Sequence, residues 1–73
     1  MGKNQFVVPH DGKWAVKGEG NQKCTAITET QREAIFIARE IARNQQSELL
    51  ILGTDGKIRQ KDSYGSDHCP PIG

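Results

Sequence analysis

The sequence predicts one small α+β domain in which a single helix packs on one face of an antiparallel sheet. An apolar run, an Asp-Gly pair and a return run ending in lysine occur over residues 7–17 and again, 44 positions later, over residues 51–61. Between the two copies lies one segment with the apolar period of an amphipathic helix. The predicted element order is therefore β-β-(β)-α-β-β, in which the bracketed strand is short and optional.

The first hairpin is predicted from a strand over residues 6–9 and a return strand over residues 14–17. Asp11 and Gly12 lie between them and indicate a two-residue type I′ turn, because Asp tolerates positive φ and Gly adopts it freely. A glycine-rich loop follows, and residues 23–27 have the composition of the optional third strand.

The helix is predicted from Gln31 to Asn44. It begins with a capping box, in which the Thr30 hydroxyl and the Glu33 carboxylate each accept a hydrogen bond from a free backbone N–H of the first turn. Its apolar face is broad enough to pack against a sheet. This face is formed by Ala34, Ile35, Ile37, Ala38, Ile41 and Ala42.

The second hairpin is predicted from a strand over residues 48–52 and a last strand over residues 57–62. Asp55 and Gly56 repeat the turn signal of the first hairpin. If both loops have two residues, the side chains that point to the same face of the sheet are fixed. A three-residue loop would reverse this assignment in the hairpin concerned.

With two-residue loops, the helix packs on a face made of Val7, Pro9, Trp14, Val16, Leu49, Ile51, Gly53, Ile58 and Gln60. We call the opposite side the outer face. It carries Phe6, Val8, His10, Lys13, Ala15, Lys17, Leu50, Leu52, Thr54, Lys57, Arg59 and Lys61. Antiparallel sheets commonly leave one face uncovered, so cations and apolar side chains are expected together on an accessible surface.

Size and composition limit the class of protein. The chain has 73 residues and a formal net charge of +1, so we predict one domain over residues 6–65 between flexible ends, residues 1–5 and 66–73. It has no signal-peptide pattern and no apolar run long enough to cross a membrane, which predicts a soluble cytoplasmic protein without a membrane partner. The two cysteines, Cys24 and Cys69, are expected to be reduced thiols.

Three interpretations of the outer face are open. In the first, the face is simply solvated and lysine stems shield its apolar groups. In the second, it binds a protein partner or a second copy of the chain. The apolar residues for this contact are Phe6, Val8, Leu50 and Leu52. In the third, the alternative function, it binds nucleic acid through phosphate contacts. The cations for that are Lys13, Lys17, Lys57, Arg59 and Lys61.

Phe36 is a further candidate for protein contact. It falls on the helix side opposite the apolar face, beside Arg32, Arg39 and Arg43. An exposed aromatic side chain among arginines has the composition of an interaction hot spot. The simpler interpretation is an ordinary exposed Phe that stacks on the neighbouring arginine stems.

The sequence contains none of the common catalytic or phosphate-binding motifs. His10-Asp11 and Asp67-His68 are adjacent pairs, which on a strand point to opposite faces. Zinc ligands could be drawn from His10, Cys24, His68 and Cys69, but their spacing fits no usual zinc site. We therefore expect a non-enzymatic binding module with no cofactor, no metal and no small-molecule substrate.

Several segments together resemble the DUF2188 family of small bacterial and phage-borne proteins of unknown function. The resemblance lies in VPHDGKWAVK (8–17), TQREA (30–34), AREIARNQ (38–45) and DGKIRQKDSYG (55–65), and in the closing Asp67, Pro70, Pro71 and Gly73. Phe36, Cys24 and Cys69 depart from the family pattern. The resemblance implies a compact stand-alone domain and assigns no catalytic or binding residue.

Overall fold

The computed structural model of the chain describes residues 3–64. They form five strands and one helix in the predicted α+β arrangement, with the helix on one face of the sheet. In chain order the elements are β1 (Gln5–His10), β2 (Lys13–Gly18), β3 (Ala26–Thr28), α1 (Gln31–Gln45), β4 (Glu48–Leu52) and β5 (Ile58–Ser63).

The strand order across the sheet is β3-β2-β1-β4-β5. The sheet is mixed rather than wholly antiparallel, because β1 and β4 are parallel neighbours in its centre. The physical reason is the crossover through β2, β3 and α1, which returns the chain to the end of the sheet where β1 begins. Phe6 pairs with Leu50 and Val7 with Ile51, so the 44-residue offset of the sequence repeat is also the register of the two central strands.

The first hairpin has the predicted turn and register. Asp11 and Gly12 both have positive φ, 49° and 78°, as a type I′ turn requires. Val7 pairs with Val16, and Pro9 pairs with Trp14. The optional third strand is present at the edge of the sheet and is displaced toward the helix, over Ala26–Thr28 instead of residues 23–27.

The second hairpin has a three-residue loop, Thr54-Asp55-Gly56, instead of the predicted two-residue loop. The Gly53 N–H donates to the Lys57 carbonyl at 2.8 Å, and Gly56 has a φ of 80°. The loop therefore pairs Leu52 with Ile58, and an irregularity between Ile51 and Leu52 restores the predicted register. Ile58 was assigned to the helix side; it is 57% exposed and lies opposite Leu52 of the outer face.

The core lies between α1 and the inner face of the sheet. Three alanines of the helix, Ala34, Ala38 and Ala42, are fully buried. They pack with Val7, Val16, Leu49 and Ile51, as the alternation of side chains along the strands predicted. The predicted apolar face of α1 is thus confirmed, with Ile35, Ile37 and Ile41 half-buried beside the alanines.

The start of the described chain is attached to the domain, although we predicted flexibility for residues 1–5. Gln5 is the first residue of β1 and is 3% exposed. Asn4 accepts hydrogen bonds from the Glu19 and Glu48 N–H groups, and the Lys3 N–H donates to Gln45. These bonds tie β1 to its neighbours. The predicted tail over residues 66–73 lies outside the described residues.

Candidate functional site

The outer face of the sheet is not covered by α1, which packs against the opposite side. The strand registers arrange its apolar side chains in a row across all five strands. Ala15 lies between Ile27 and Val8, and the register of the central strands places Val8 next to Leu52, which pairs with Ile58. We call this row the apolar stripe: Ile27, Ala15, Val8, Leu52 and Ile58.

Burial varies along the outer face. Ala15 is fully buried and Leu50 is 9% exposed. Phe6, Val8 and Leu52 are half-buried. The two ends of the apolar stripe are open, with Ile27 53% exposed and Ile58 57% exposed. The structure therefore brings together the four predicted apolar residues of this face and adds Ile27 and Ile58.

Sequence reasoning missed these two isoleucines for different reasons. The sequence predicts Ile27 in the optional strand but assigns it to no face, because a short strand with no known partner carries no register information. The prediction that Ile58 faces the helix is wrong, because it depends on a two-residue second loop. The signal that could have found Ile58 is the composition of its strand, which is otherwise polar and therefore unlike a strand that contributes to the core.

The cations predicted on the outer face are largely paired with acids of the same domain. Lys13 lies 3.1 Å from Glu29, and Lys61 lies 3.6 Å from Glu48. Arg59 donates to Asp55 at 2.6 Å. Within residues 3–64, Lys17 and Lys57 have no ion pair. Three of the five cations therefore have their charge balanced locally.

Phe36 lies away from the outer face, on the exposed side of α1, and is 62% exposed. It lines a groove of about 640 Å³ between α1 and the edge strand β3. Ile27 and Ile37 supply the other apolar walls of this groove, and Lys13 and Arg32 lie on its rim. Phe36 is therefore not isolated, since the fold places it beside an exposed end of the apolar stripe.

The residues considered for catalysis or metal binding do not form a site in the described part of the chain. His10 lies 3.8 Å from Asp11, and both side chains are solvent-exposed. Residues 3–64 contain no group of three or more His, Cys, Asp or Glu side chains that could hold a metal ion. Cys24 is a half-buried free thiol. Asp67, His68 and Cys69 lie outside the described residues.

The sequence of this domain matches a known protein family. Residues 5–64 match the family described as "Uncharacterized protein conserved in bacteria (DUF2188)". The chain belongs to the DUF2188 family. This DUF2188 domain is also 38% identical over 66 residues to the "Uncharacterized protein YdaT" of Bacillus subtilis (strain 168), a match that covers 90% of the chain and 44% of that relative.

The chain spans less than half the length of the relative it matches. No solved structure matches this DUF2188 domain. Among residues 3–64, no helix is both long enough and apolar enough to span a bilayer. The family descriptions name neither an activity nor a partner, so the function of this DUF2188 domain is argued from its two accessible surfaces, the outer face and the groove beside Phe36.

Proposed function

We propose that this DUF2188 domain is a non-enzymatic interaction module whose outer face binds a second copy of the chain. The observation that supports this proposal is the apolar stripe, which crosses all five strands and ends in two isoleucines that are each more than half exposed. Exposed isoleucines joined by a row of apolar side chains are typical of a protein-binding surface on a small domain, because leaving them in water costs free energy that association recovers.

The area of the outer face suits a weak symmetric dimer. The five strands have three to six residues, and at ~3.3 Å per residue and ~4.8 Å between strands they give a plane of roughly 24 by 17 Å. Two such faces cover roughly 800 Å², which is in the size range of weak, transient interfaces. We therefore expect a dimer of modest affinity that is held mainly by apolar contact.

The charges of this face favour contact with a second copy over contact with a polyanion. Lys13, Arg59 and Lys61 are each paired with an acid of their own domain, so they repel a second copy less than free cations would. The same pairing reduces the number of cations that could replace counterions on phosphates. The competing function is nucleic-acid binding by the cations of the outer face. These cations are Lys13, Lys17, Lys57, Arg59 and Lys61.

The test is the solution mass by sedimentation equilibrium at low and high salt, with and without mixed-sequence nucleic acid. We expect a dimer that persists at high salt, because apolar contacts are not screened. Ile58→Glu and Val8→Glu should each give a monomer. Asn44→Glu, an exposed change on α1 away from the outer face, is the matched control and should leave the dimer intact. Ile58 is chosen for substitution instead of Leu50, because Leu50 is buried and a charge there would destabilise the fold as well as the dimer.

Two results would contradict the proposal. One is a monomer at every concentration and salt level tested. The other is a mass that increases only when nucleic acid is present at low salt and that returns to the monomer value in a Lys57→Glu, Lys61→Glu double variant. The second result would make the cations of the outer face the binding site.

A further inference from the structure

The groove between α1 and β3 collects exposed apolar side chains from two separate elements. Phe36 and Ile27 are two of the three large hydrophobic residues exposed in residues 3–64, and both line it. Ile37 of α1 is half-buried and also lines the groove. The groove is open to solvent, and its volume of about 640 Å³ is sufficient for a few side chains of a partner.

Two arginines flank the Phe36 ring. Arg32 and Arg39 are one helical turn before and after Phe36, a spacing that makes their side chains neighbours on the helix surface. Arg32 lines the groove, and both arginines, with Phe36, line a second groove of about 330 Å³. Within residues 3–64, neither arginine has an ion pair or a side-chain hydrogen bond, whereas Arg43 on the same helix pairs with Glu40.

The acids on the rim of the groove are already engaged. Glu29 lies 3.1 Å from Lys13 across the groove mouth. The Glu33 carboxylate accepts the Glu29 N–H at 3.2 Å as the second half of the capping box. The Glu33 carboxylate keeps its negative charge, so the groups at this groove that are free to pair with a carboxylate of a ligand are the guanidinium groups of Arg32 and Arg39.

We propose that this groove binds a peptide segment of a partner protein, in which a bulky apolar side chain is flanked by acidic residues. The apolar side chain would enter between Phe36, Ile27 and Ile37. The acidic residues would pair with Arg32 and Arg39, whose planar guanidinium groups can hold a carboxylate by two hydrogen bonds. This site adjoins the proposed dimer contact and shares Ile27 and Lys13 with it, whereas Phe36, Arg32 and Arg39 are not part of the outer face.

The local charge pattern favours an acidic peptide over nucleic acid. Glu33 and Glu40 lie one turn before and after Phe36, so carboxylates alternate with the arginines along α1. Such alternation repels a continuous phosphate backbone but accommodates single carboxylates. The net charge of only +1 provides no long-range attraction for a polyanion.

The test begins with random dodecapeptides displayed on phage and selected on the wild-type domain, with counter-selection on Phe36→Ala. Enriched peptides should carry one Leu, Phe, Trp or Met between Asp or Glu residues. For a synthetic enriched peptide, fluorescence anisotropy should show about 30-fold weaker binding to Phe36→Ala, the loss typical of a hot-spot aromatic residue. Phe36 is exposed, so this variant keeps its fold, which circular dichroism checks.

Charge-reversal variants distinguish specific binding at the groove from nonspecific binding to the domain. Arg32→Glu with Arg39→Glu should weaken peptide binding by about 10-fold or more, as loss of two carboxylate contacts predicts. Arg43→Glu is the matched control on the same helix and should change binding by less than about 2-fold, because Arg43 already pairs with Glu40. The monomeric Ile58→Glu variant should bind the peptide as the wild type does.

The proposal is overturned if no acidic, apolar peptide is enriched over the Phe36→Ala control, or if the enriched peptides bind all variants equally. It is also overturned if a single-stranded oligonucleotide binds in the peptide's place and needs Phe36, which would assign the groove to nucleic acid. Peptide binding to a domain that is monomeric under all conditions would refute the dimer and retain the groove.

Discussion

Two residues other than glycine have left-handed backbone in the described part of the chain, Asp11 and Gln46. Asp11 is well suited to its position, because a type I′ turn needs positive φ and Asp tolerates it. Gln46 ends α1 in a Schellman motif: its N–H donates to the Arg43 carbonyl, and the Ser47 N–H donates to the Ala42 carbonyl. Glycine is the usual residue at this position, so Gln46 is held in a strained conformation by these bonds.

Replacing Gln46 by glycine should therefore stabilise the domain. We expect Gln46→Gly to raise the free energy of unfolding by about 0.5–1 kcal/mol, because glycine adopts the left-handed conformation without a steric cost. Asn44→Gly is the control within the helix and should lower the same free energy by a few tenths of a kcal/mol. Urea denaturation measures both, and a destabilised Gln46→Gly variant would show that its backbone is not strained.

At the scale of elements, the contact between helix and sheet depends on a row of alanines. Ala34, Ala38 and Ala42 are spaced four residues apart, and none has exposed surface. Their small side chains allow the helix backbone to lie close to the sheet, and the half-buried isoleucines on either side close the gap. Side-chain size in this row therefore sets the distance between the two layers.

Enlarging the middle alanine should push the layers apart. We expect Ala38→Leu to lower the free energy of unfolding by about 1–3 kcal/mol, because the added carbons have no space in a close-packed contact. Ile35→Leu, a change of equal volume at a half-buried position, should cost less than about 1.5 kcal/mol. Chemical denaturation of both variants is the measurement, and an Ala38→Leu variant as stable as the wild type would reveal unfilled space beneath the helix.

At the scale of the whole molecule, stability depends on a small core supplied by three neighbouring strands. Leu49, Val7 and Val16 are the largest fully buried side chains, and they come from β4, β1 and β2. A domain of this size typically has a stability of only ~3–5 kcal/mol. Loss of one large core side chain is therefore comparable with the total stability.

We expect Leu49→Ala to cost about 2–5 kcal/mol and to leave much of the protein unfolded at room temperature. Leu52→Ala changes the same residue type at a half-buried position of the outer face and should cost clearly less. Thermal unfolding followed by circular dichroism, at concentrations too low for association, compares the two. Equal losses of unfolding free energy would show that the outer face contributes as much to stability as the core does.

The local structure of this DUF2188 domain follows from short patterns in its sequence. The capping box at Thr30 and Glu33 begins α1 at the predicted residue, and the apolar period of the helix selects the face that packs on the sheet. The pair Asp11-Gly12 determined the first turn, and through it the face on which Val7 and Val16 lie. These features depend on residues a few positions apart, so they can be read from a single sequence.

The arrangement of the strands and the helix relative to one another depends on long-range contacts. The parallel pairing of β1 with β4 depends on how α1 crosses the sheet, which no local signal reports. The groove at Phe36 exists because that crossing places the helix beside the edge strand that carries Ile27. The sequence identified Phe36 as exposed, but its apolar neighbour comes from another element.

The two Asp-Gly pairs show how far a turn can be predicted from a dipeptide. Asp11-Gly12 forms the predicted two-residue turn, whereas Asp55-Gly56 belongs to a three-residue loop. In that loop the Asp55 carboxylate accepts hydrogen bonds from the Lys57 N–H and from Arg59, which hold the longer turn in place. One dipeptide therefore supports two turns, and side-chain contacts that form only in the folded hairpin choose between them and bring Ile58 to the outer face.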